Sequence, residues 1–75
     1  MKLFESEQKV MEVLWEEGEI TGKRVVEVLS ERVGWNKNTT YTVIKKCIEK
    51  GAVQAVRAGI SVQALIDRMN LNPMK

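Results

Sequence analysis

Residues that start and stop helices divide the 75-residue chain into short segments, and this division limits the possible folds more than composition does. Thr21 precedes and Gly34 follows the segment GKRVVEVLSERV. Asn36 precedes and Gly51 follows the segment KNTTYTVIKKCIEK. Threonine and asparagine side chains cap helix N-termini, and glycine commonly ends helices. The pattern predicts two helices joined by the short connection GWN.

A further helix is predicted upstream of these two. Ser6 is a suitable cap for the segment EQKVMEVLWEE, and Gly18 follows the end of that segment. Its apolar residues recur at helical spacing and form a stripe wide enough to lie between two other helices. In the next helix the valine-rich RVVEVL resembles a strand, but the recurrence of Val25, Leu29 and Val33 favours a helix.

The last of the three helices has an apolar side and a polar side when its residues are placed about 100° apart. The apolar side comprises Thr40, Ile44, Cys47 and Ile48, with Val43 at its edge. The opposite side comprises Asn38, Thr39, Thr42, Lys45, Lys46 and Glu49. Such a helix is too polar to be enclosed in a core, so its outer side is the candidate binding surface.

Two interpretations of the segment AVQAVRAGISVQAL remain open from periodicity alone. Alternating residues around Gly59 predict a β-hairpin with this glycine in the turn. The alternative is a helix capped by Ser61, and its apolar face would comprise Val62, Leu65, Ile66 and Met69.

Composition excludes several classes of function. The chain has one cysteine and no histidine, so disulfide frameworks, the usual zinc sites and histidine-based catalysis are not available. Cys47 is predicted to be a small buried apolar residue, and Trp15 and Trp35 are predicted to anchor the core. No run of about 18 apolar residues predicts a membrane span. We expect a cytoplasmic protein that is not an enzyme and needs no cofactor.

Charge is unevenly distributed along the chain. Residues 1–19 hold six glutamates against two lysines, whereas the remainder holds ten basic and four acidic residues. This polarity favours a polyanionic partner for the basic part, although scattered surface lysines would give the same count.

Helix, short strand, helix, helix and hairpin is the element order of a winged helix-turn-helix domain, a mainly α fold of three helices plus a small β-hairpin, the wing. Short hydroxyl and amide groups on the outer side of the last helix suit base edges in a DNA major groove, and neighbouring lysines suit phosphates. The predicted DNA-binding residues are Asn38, Thr39, Tyr41, Thr42, Lys45, Lys46 and, in the wing, Arg57.

The segments SEQKVMEVLWEEGEITGKRVVEVL and WNKNTTYTVIKKCIEKGAV resemble the penicillinase-repressor (BlaI/MecI/CopY) family of winged-helix regulators. The resemblance covers residues 4–66 and implies a dimeric repressor that binds a palindromic double-stranded operator. It also implies that Thr39, Thr42 and Lys46 lie on the DNA side, and it favours the hairpin, which has the length of the family's wing.

The resemblance also implies how the chain is organised. Residues 1–66 are expected to form the DNA-binding domain, followed by a tail at residues 67–75 without the helical dimerisation region of the family. On this interpretation the chain is a monomer, whereas full-length family members are homodimers. The alternative functions are an RNA-binding module, for which exposed aromatic residues are lacking, and a protein-interaction module of the same fold.

Overall fold

A computed structural model describes residues 2–66, which form three helices and three short strands. In chain order they are α1 (Glu5–Glu17), β1 (Ile20–Thr21), α2 (Gly22–Val33), α3 (Lys37–Glu49), β2 (Val53–Val56) and β3 (Ser61–Ala64). Strand β3 lies between β1 and β2 and is antiparallel to both. The predicted order of elements and the three-helix fold with a β-hairpin are therefore confirmed.

The hairpin interpretation of the C-terminal segment is correct, and the alternative helix capped by Ser61 is wrong. Ser61 is the first residue of β3 and lies opposite both Thr21 of β1 and Val56 of β2. Strand β3 pairs on one edge with β2 of the same hairpin and on the other with β1, which lies far upstream. Helical periodicity cannot reveal either pairing. Met69 and the predicted tail at 67–75 lie outside the described residues.

The predicted caps of α2 and α3 are confirmed. The Thr21 hydroxyl oxygen accepts a hydrogen bond from the Arg24 amide at 3.0 Å, and Asn36 Oδ1 accepts one from the Thr39 amide at 2.7 Å. Gly34 ends α2 in the left-handed conformation, with φ of 74°. Each side-chain cap typically contributes about 1 kcal/mol, so these local signals determine where both helices begin.

The predicted cap of α1 is wrong. The helix begins at Glu5 and its N-cap residue is Phe4, so Ser6 lies inside the first turn. The Glu7 carboxylate accepts a hydrogen bond from the Phe4 amide at 2.8 Å. Because this acidic side chain reaches back to the amide that precedes the helix, it replaces the expected serine cap. The predicted end at Gly18 is confirmed.

The core lies where α1 contacts α2, α3 and β3. Its fully buried side chains include Met11, Leu14, Leu29 and Ile66. Both tryptophans pack against this core as predicted, and Trp15 Nε1 donates a hydrogen bond to the Ile66 carbonyl oxygen at 2.9 Å. None of the helices within residues 2–66 is long and apolar enough to cross a membrane.

One residue of the predicted apolar side of α3 is not enclosed. Thr40, Val43, Ile44 and Cys47 are buried, but Ile48 is 38% exposed. The centre of the buried side lies closer to Val43 than the placement of residues at about 100° intervals predicts. The reason is that α3 packs between α1 and α2. Ile48 therefore lies at the edge of the core.

Candidate nucleic-acid interface

The outer side of α3 presents a continuous polar surface. Each residue predicted for it is exposed, namely Asn38, Thr39, Thr42, Lys45, Lys46 and Glu49. Their side chains extend from a helix whose other side is buried in the core. We call this surface the outer face of α3. A row of short polar groups next to lysines can donate and accept hydrogen bonds and attract anions.

The arginines of the described residues are all engaged by glutamates. Arg24 Nε lies 3.1 Å from Glu17 Oε1, and Arg32 Nη2 lies 2.8 Å from Glu16 Oε1. The third pair joins Arg57 in the wing to Glu19. In the first two pairs a glutamate of α1 meets an arginine of α2, so the acidic N-terminal part of the chain neutralises the arginines.

The lysines behave differently. Within residues 2–66, one lysine forms an ion pair, Lys50 with Glu7. The other six are Lys2, Lys9, Lys23, Lys37, Lys45 and Lys46, and three of these lie on α3 itself. Lys23 and Lys37 line the same groove between α2 and α3. Uncompensated positive charge is therefore concentrated on and beside the outer face of α3.

Tyr41 lies at the border between the outer face of α3 and α2. Its side chain lines the groove with Lys23 and Lys37, and the residue is 40% exposed. The ring packs against Gly22, where an added Cβ would lie 3.0 Å from the Tyr41 Cε1 atom. A side chain at position 22 would therefore require the ring to move by a few tenths of an ångström. Tyr41 thus packs on one side and remains open to a ligand on the other.

Arg57 occupies the turn of the β2–β3 hairpin, away from α3 in sequence. Its Nε donates a hydrogen bond to Glu19 Oε2 at 2.7 Å, and 74% of its side chain remains exposed. The structure thus brings six of the seven predicted site residues together on α3 and places Arg57 separately in the wing.

Sequence inspection missed a polar cluster beside the C-terminus of α3. The Glu7 carboxylate is buried and accepts a hydrogen bond from Lys50 Nζ at 2.6 Å. The same ammonium donates to the Lys2 carbonyl oxygen at 3.1 Å and lies 4.2 Å from the centre of the Phe4 ring. No local signal could have found this cluster, because Glu7 and Lys50 are far apart in sequence.

Cys47 is the buried apolar residue predicted from its position. Burial raises the pKa of its thiol to about 12, and the nearby Glu7 charge acts in the same direction. A neutral, enclosed thiol packs as an apolar group and is a poor nucleophile at neutral pH. In the part of the chain that the structure describes, no group of three or more histidine, cysteine, aspartate or glutamate residues is placed to hold a metal ion.

Three helices and a three-stranded sheet with an exposed helix face define a winged helix-turn-helix domain. The family model of the penicillinase repressor matches residues 3–72, and the chain belongs to this family. The sequence is 29% identical over 58 residues to the penicillinase repressor of Bacillus licheniformis. That match covers 77% of this chain and 45% of the relative, so the chain matches less than half of the relative's length.

A solved structure shows the same fold. The solution structure of the DNA-binding domain of the repressor BlaI superposes with a TM-score of 0.82 at 26% sequence identity. The match covers 99% of this chain and 93% of that chain. The likeness therefore extends over the whole domain, including the wing, and confirms the family resemblance seen in the sequence.

Proposed function

We propose that this chain binds double-stranded DNA in a sequence-specific manner, with the outer face of α3 in the major groove, and that it is the DNA-binding part of a transcriptional repressor. One observation carries the proposal: of the six lysines outside ion pairs within residues 2–66, four lie on or beside a helix face of short polar side chains. The lysines supply attraction to phosphates that does not depend on sequence, and the short polar side chains can read base edges at close range. Sequence-specific binding needs both.

Each predicted residue has a proposed role. Asn38, Thr39 and Thr42 read base edges, because their short side chains leave room for a close approach of the helix. Lys45 and Lys46 contact phosphates at the sides of the groove. Tyr41 contacts the sugar-phosphate backbone from the groove between α2 and α3, and Arg57 contacts it from the wing.

The names of the relatives support the regulatory part of the proposal. One relative is a penicillinase repressor and the solved structure is the DNA-binding domain of a repressor. By this similarity we propose a cytoplasmic repressor whose operator is palindromic, read by two copies of the domain. Such operators present two half-sites related by the symmetry of a dimer.

Selection of duplexes from a random pool, followed by a salt titration of the selected duplex, tests the proposal. A recurrent sequence should emerge, and its association constant should fall steeply between about 50 and 200 mM salt. A matched single-stranded RNA should compete poorly. Salt-independent binding, or an equal affinity for RNA, would show that the domain is a different kind of module.

The two-copy arrangement has its own test. An unrelated dimerisation segment fused after Ile66 should raise the affinity for a palindromic duplex by about 100-fold, through the high effective concentration of the second domain. The same fusion should have little effect on a duplex with one half-site. An equal gain on both duplexes would contradict the palindromic operator.

A further inference from the structure

The arginine of the wing is held by a carboxylate from outside the wing. Arg57 Nε donates a hydrogen bond to Glu19 Oε2 at 2.7 Å, and Glu19 lies in the connection between α1 and β1. The side chains are 74% and 32% exposed, respectively. Within residues 2–66 the Nη groups of Arg57 form no further hydrogen bond. The positive charge of the wing is therefore balanced before any ligand arrives.

The backbone of the turn sets the position of this arginine. Gly59 donates its amide hydrogen to the Val56 carbonyl oxygen at 3.1 Å, and the two residues between them have φ of 53° (Arg57) and 59° (Ala58). These positive values at both central positions are those of a type I′ turn. The Gly22 amide also donates to the Ile60 carbonyl oxygen at 3.1 Å, which ties the turn to the start of α2.

We propose that Glu19 masks Arg57, so that a DNA phosphate must compete with this carboxylate for the guanidinium of the wing. The inference rests on the DNA-binding function proposed above and assigns to Glu19 the control of the wing contact. Glu19 is a positioning residue in this role, because it acts on the DNA through Arg57.

Charge balance gives the masking a measurable signature. A free cation that binds a phosphate releases condensed counterions from DNA and steepens the salt dependence of binding. An arginine that exchanges a carboxylate for a phosphate leaves the carboxylate to be neutralised by a salt cation. Most of the net release of counterions is then lost. The wing therefore adds little to the salt dependence, which is carried mainly by the lysines of α3.

The test is Glu19→Gln with Glu16→Gln as a matched control. Each change removes one negative charge and the carboxylate partner of an arginine. The nitrogen–oxygen distances are nearly equal, 2.7 Å between Arg57 and Glu19 and 2.8 Å between Arg32 and Glu16. Binding is measured by fluorescence anisotropy on a random-sequence duplex of about two helical turns, over a range of salt concentrations. The same two changes are also made in an Arg57→Ala background.

We expect Glu19→Gln to bind the duplex roughly two- to fivefold more tightly than Glu16→Gln, the range that corresponds to the free energy of an exposed ion pair. The slope of log K against log salt should steepen by up to about 0.9 relative to the control. In the Arg57→Ala background the two variants should be equal. Equal affinities and slopes in the wild-type background, or a gain that persists without Arg57, would overturn the masking.

Lys46→Ala is measured in the same series to separate two kinds of failure. If wild-type binding is independent of salt and of Lys46, the proposed DNA-binding function fails and the masking fails with it. If binding depends on both but Glu19→Gln matches Glu16→Gln, the DNA-binding function stands and the masking alone is wrong.

Discussion

Lys50 Nζ lies 2.6 Å from the Glu7 carboxylate and joins the C-terminal end of α3 to the first turn of α1. The glutamate side chain is 2% exposed and the lysine side chain 30% exposed. Taking a carboxylate out of water costs free energy unless it is paired and hydrogen-bonded. Lys50 and the Phe4 amide supply both compensations, so the pair fixes how the candidate DNA-binding helix ends against α1.

We expect Lys50→Ala to lower the free energy of unfolding by about 1–3 kcal/mol, because the Glu7 carboxylate would keep only its bond from the Phe4 amide. This loss of unfolding free energy is smaller than the loss expected for a fully enclosed ion pair, because Lys50 is partly exposed. Urea denaturation measures it. Lys45→Ala is the control, since Lys45 is exposed and forms no ion pair with any residue from 2 to 66. Equal effects of the two changes would show that the pair contributes nothing.

The same pair predicts a dependence of stability on pH. Burial raises the pKa of Glu7, but the hydrogen bonds from Lys50 and the Phe4 amide, with the charges of Lys50 and Lys46, outweigh it and hold the pKa below its usual value of 4.5. A lowered folded-state pKa gives stability that is present above the unfolded value and is lost as pH falls through the folded value. Urea midpoints compared between about pH 6 and pH 3 should therefore fall less in Glu7→Gln than in the wild type, although this variant is less stable at pH 6.

Replacing Ala58 with glycine should stabilise the turn of the wing. Its φ of 59° lies in the left-handed region, which costs a non-glycine residue about 1–2 kcal/mol. Part of the gain is offset by the greater unfolded-state freedom of glycine. Ala58→Gly should raise the free energy of unfolding by about 0.5–1 kcal/mol, or the melting temperature by roughly 2–8 °C. Ala55→Gly, inside β2, should instead lower both. A drop for Ala58→Gly would mean that the turn is not strained.

Thr42→Ala should relax base selectivity, because Thr42 is exposed in the middle of the outer face of α3. Loss of one good base contact is worth about 1–3 kcal/mol of discrimination. The ratio of affinities for the selected duplex and a random duplex measures this. Ser30→Ala, an exposed change on α2, should keep the ratio of the wild type. An unchanged ratio in Thr42→Ala would remove Thr42 from the reading residues.

Lys46→Ala should weaken binding to every duplex if its ammonium contacts a phosphate. The slope of log K against log salt should then become shallower by about 0.9. Lys9→Ala on α1 carries the same change of charge and should affect the slope much less. Weakening restricted to the selected duplex would make Lys46 a base reader, and unchanged affinity for all duplexes would place it outside the interface.

Much of the fold and most of the candidate site could be predicted from the sequence, because their determinants are local. Thr21 and Asn36 bind amides three residues away, so composition within one turn is enough to place the starts of α2 and α3. The polar residues of α3 follow from helical periodicity, which separates the outer face from Thr40, Ile44 and Cys47. The family resemblance implies that Thr39, Thr42 and Lys46 lie on the DNA side, and the structure leaves all three exposed.

Tertiary structure decided the features that depend on residues far apart in the chain. Ser61 begins a strand that pairs with Thr21 of β1, far upstream, in addition to Val56 of its own hairpin, although the residues that follow Ser61 permit a helix. Lys50 forms an ion pair with the buried carboxylate of Glu7, and Arg57 forms one with Glu19. Helical periodicity describes neighbours along one element, whereas strand pairing and the compensation of charge are satisfied by whichever groups the packed chain brings within hydrogen-bond distance.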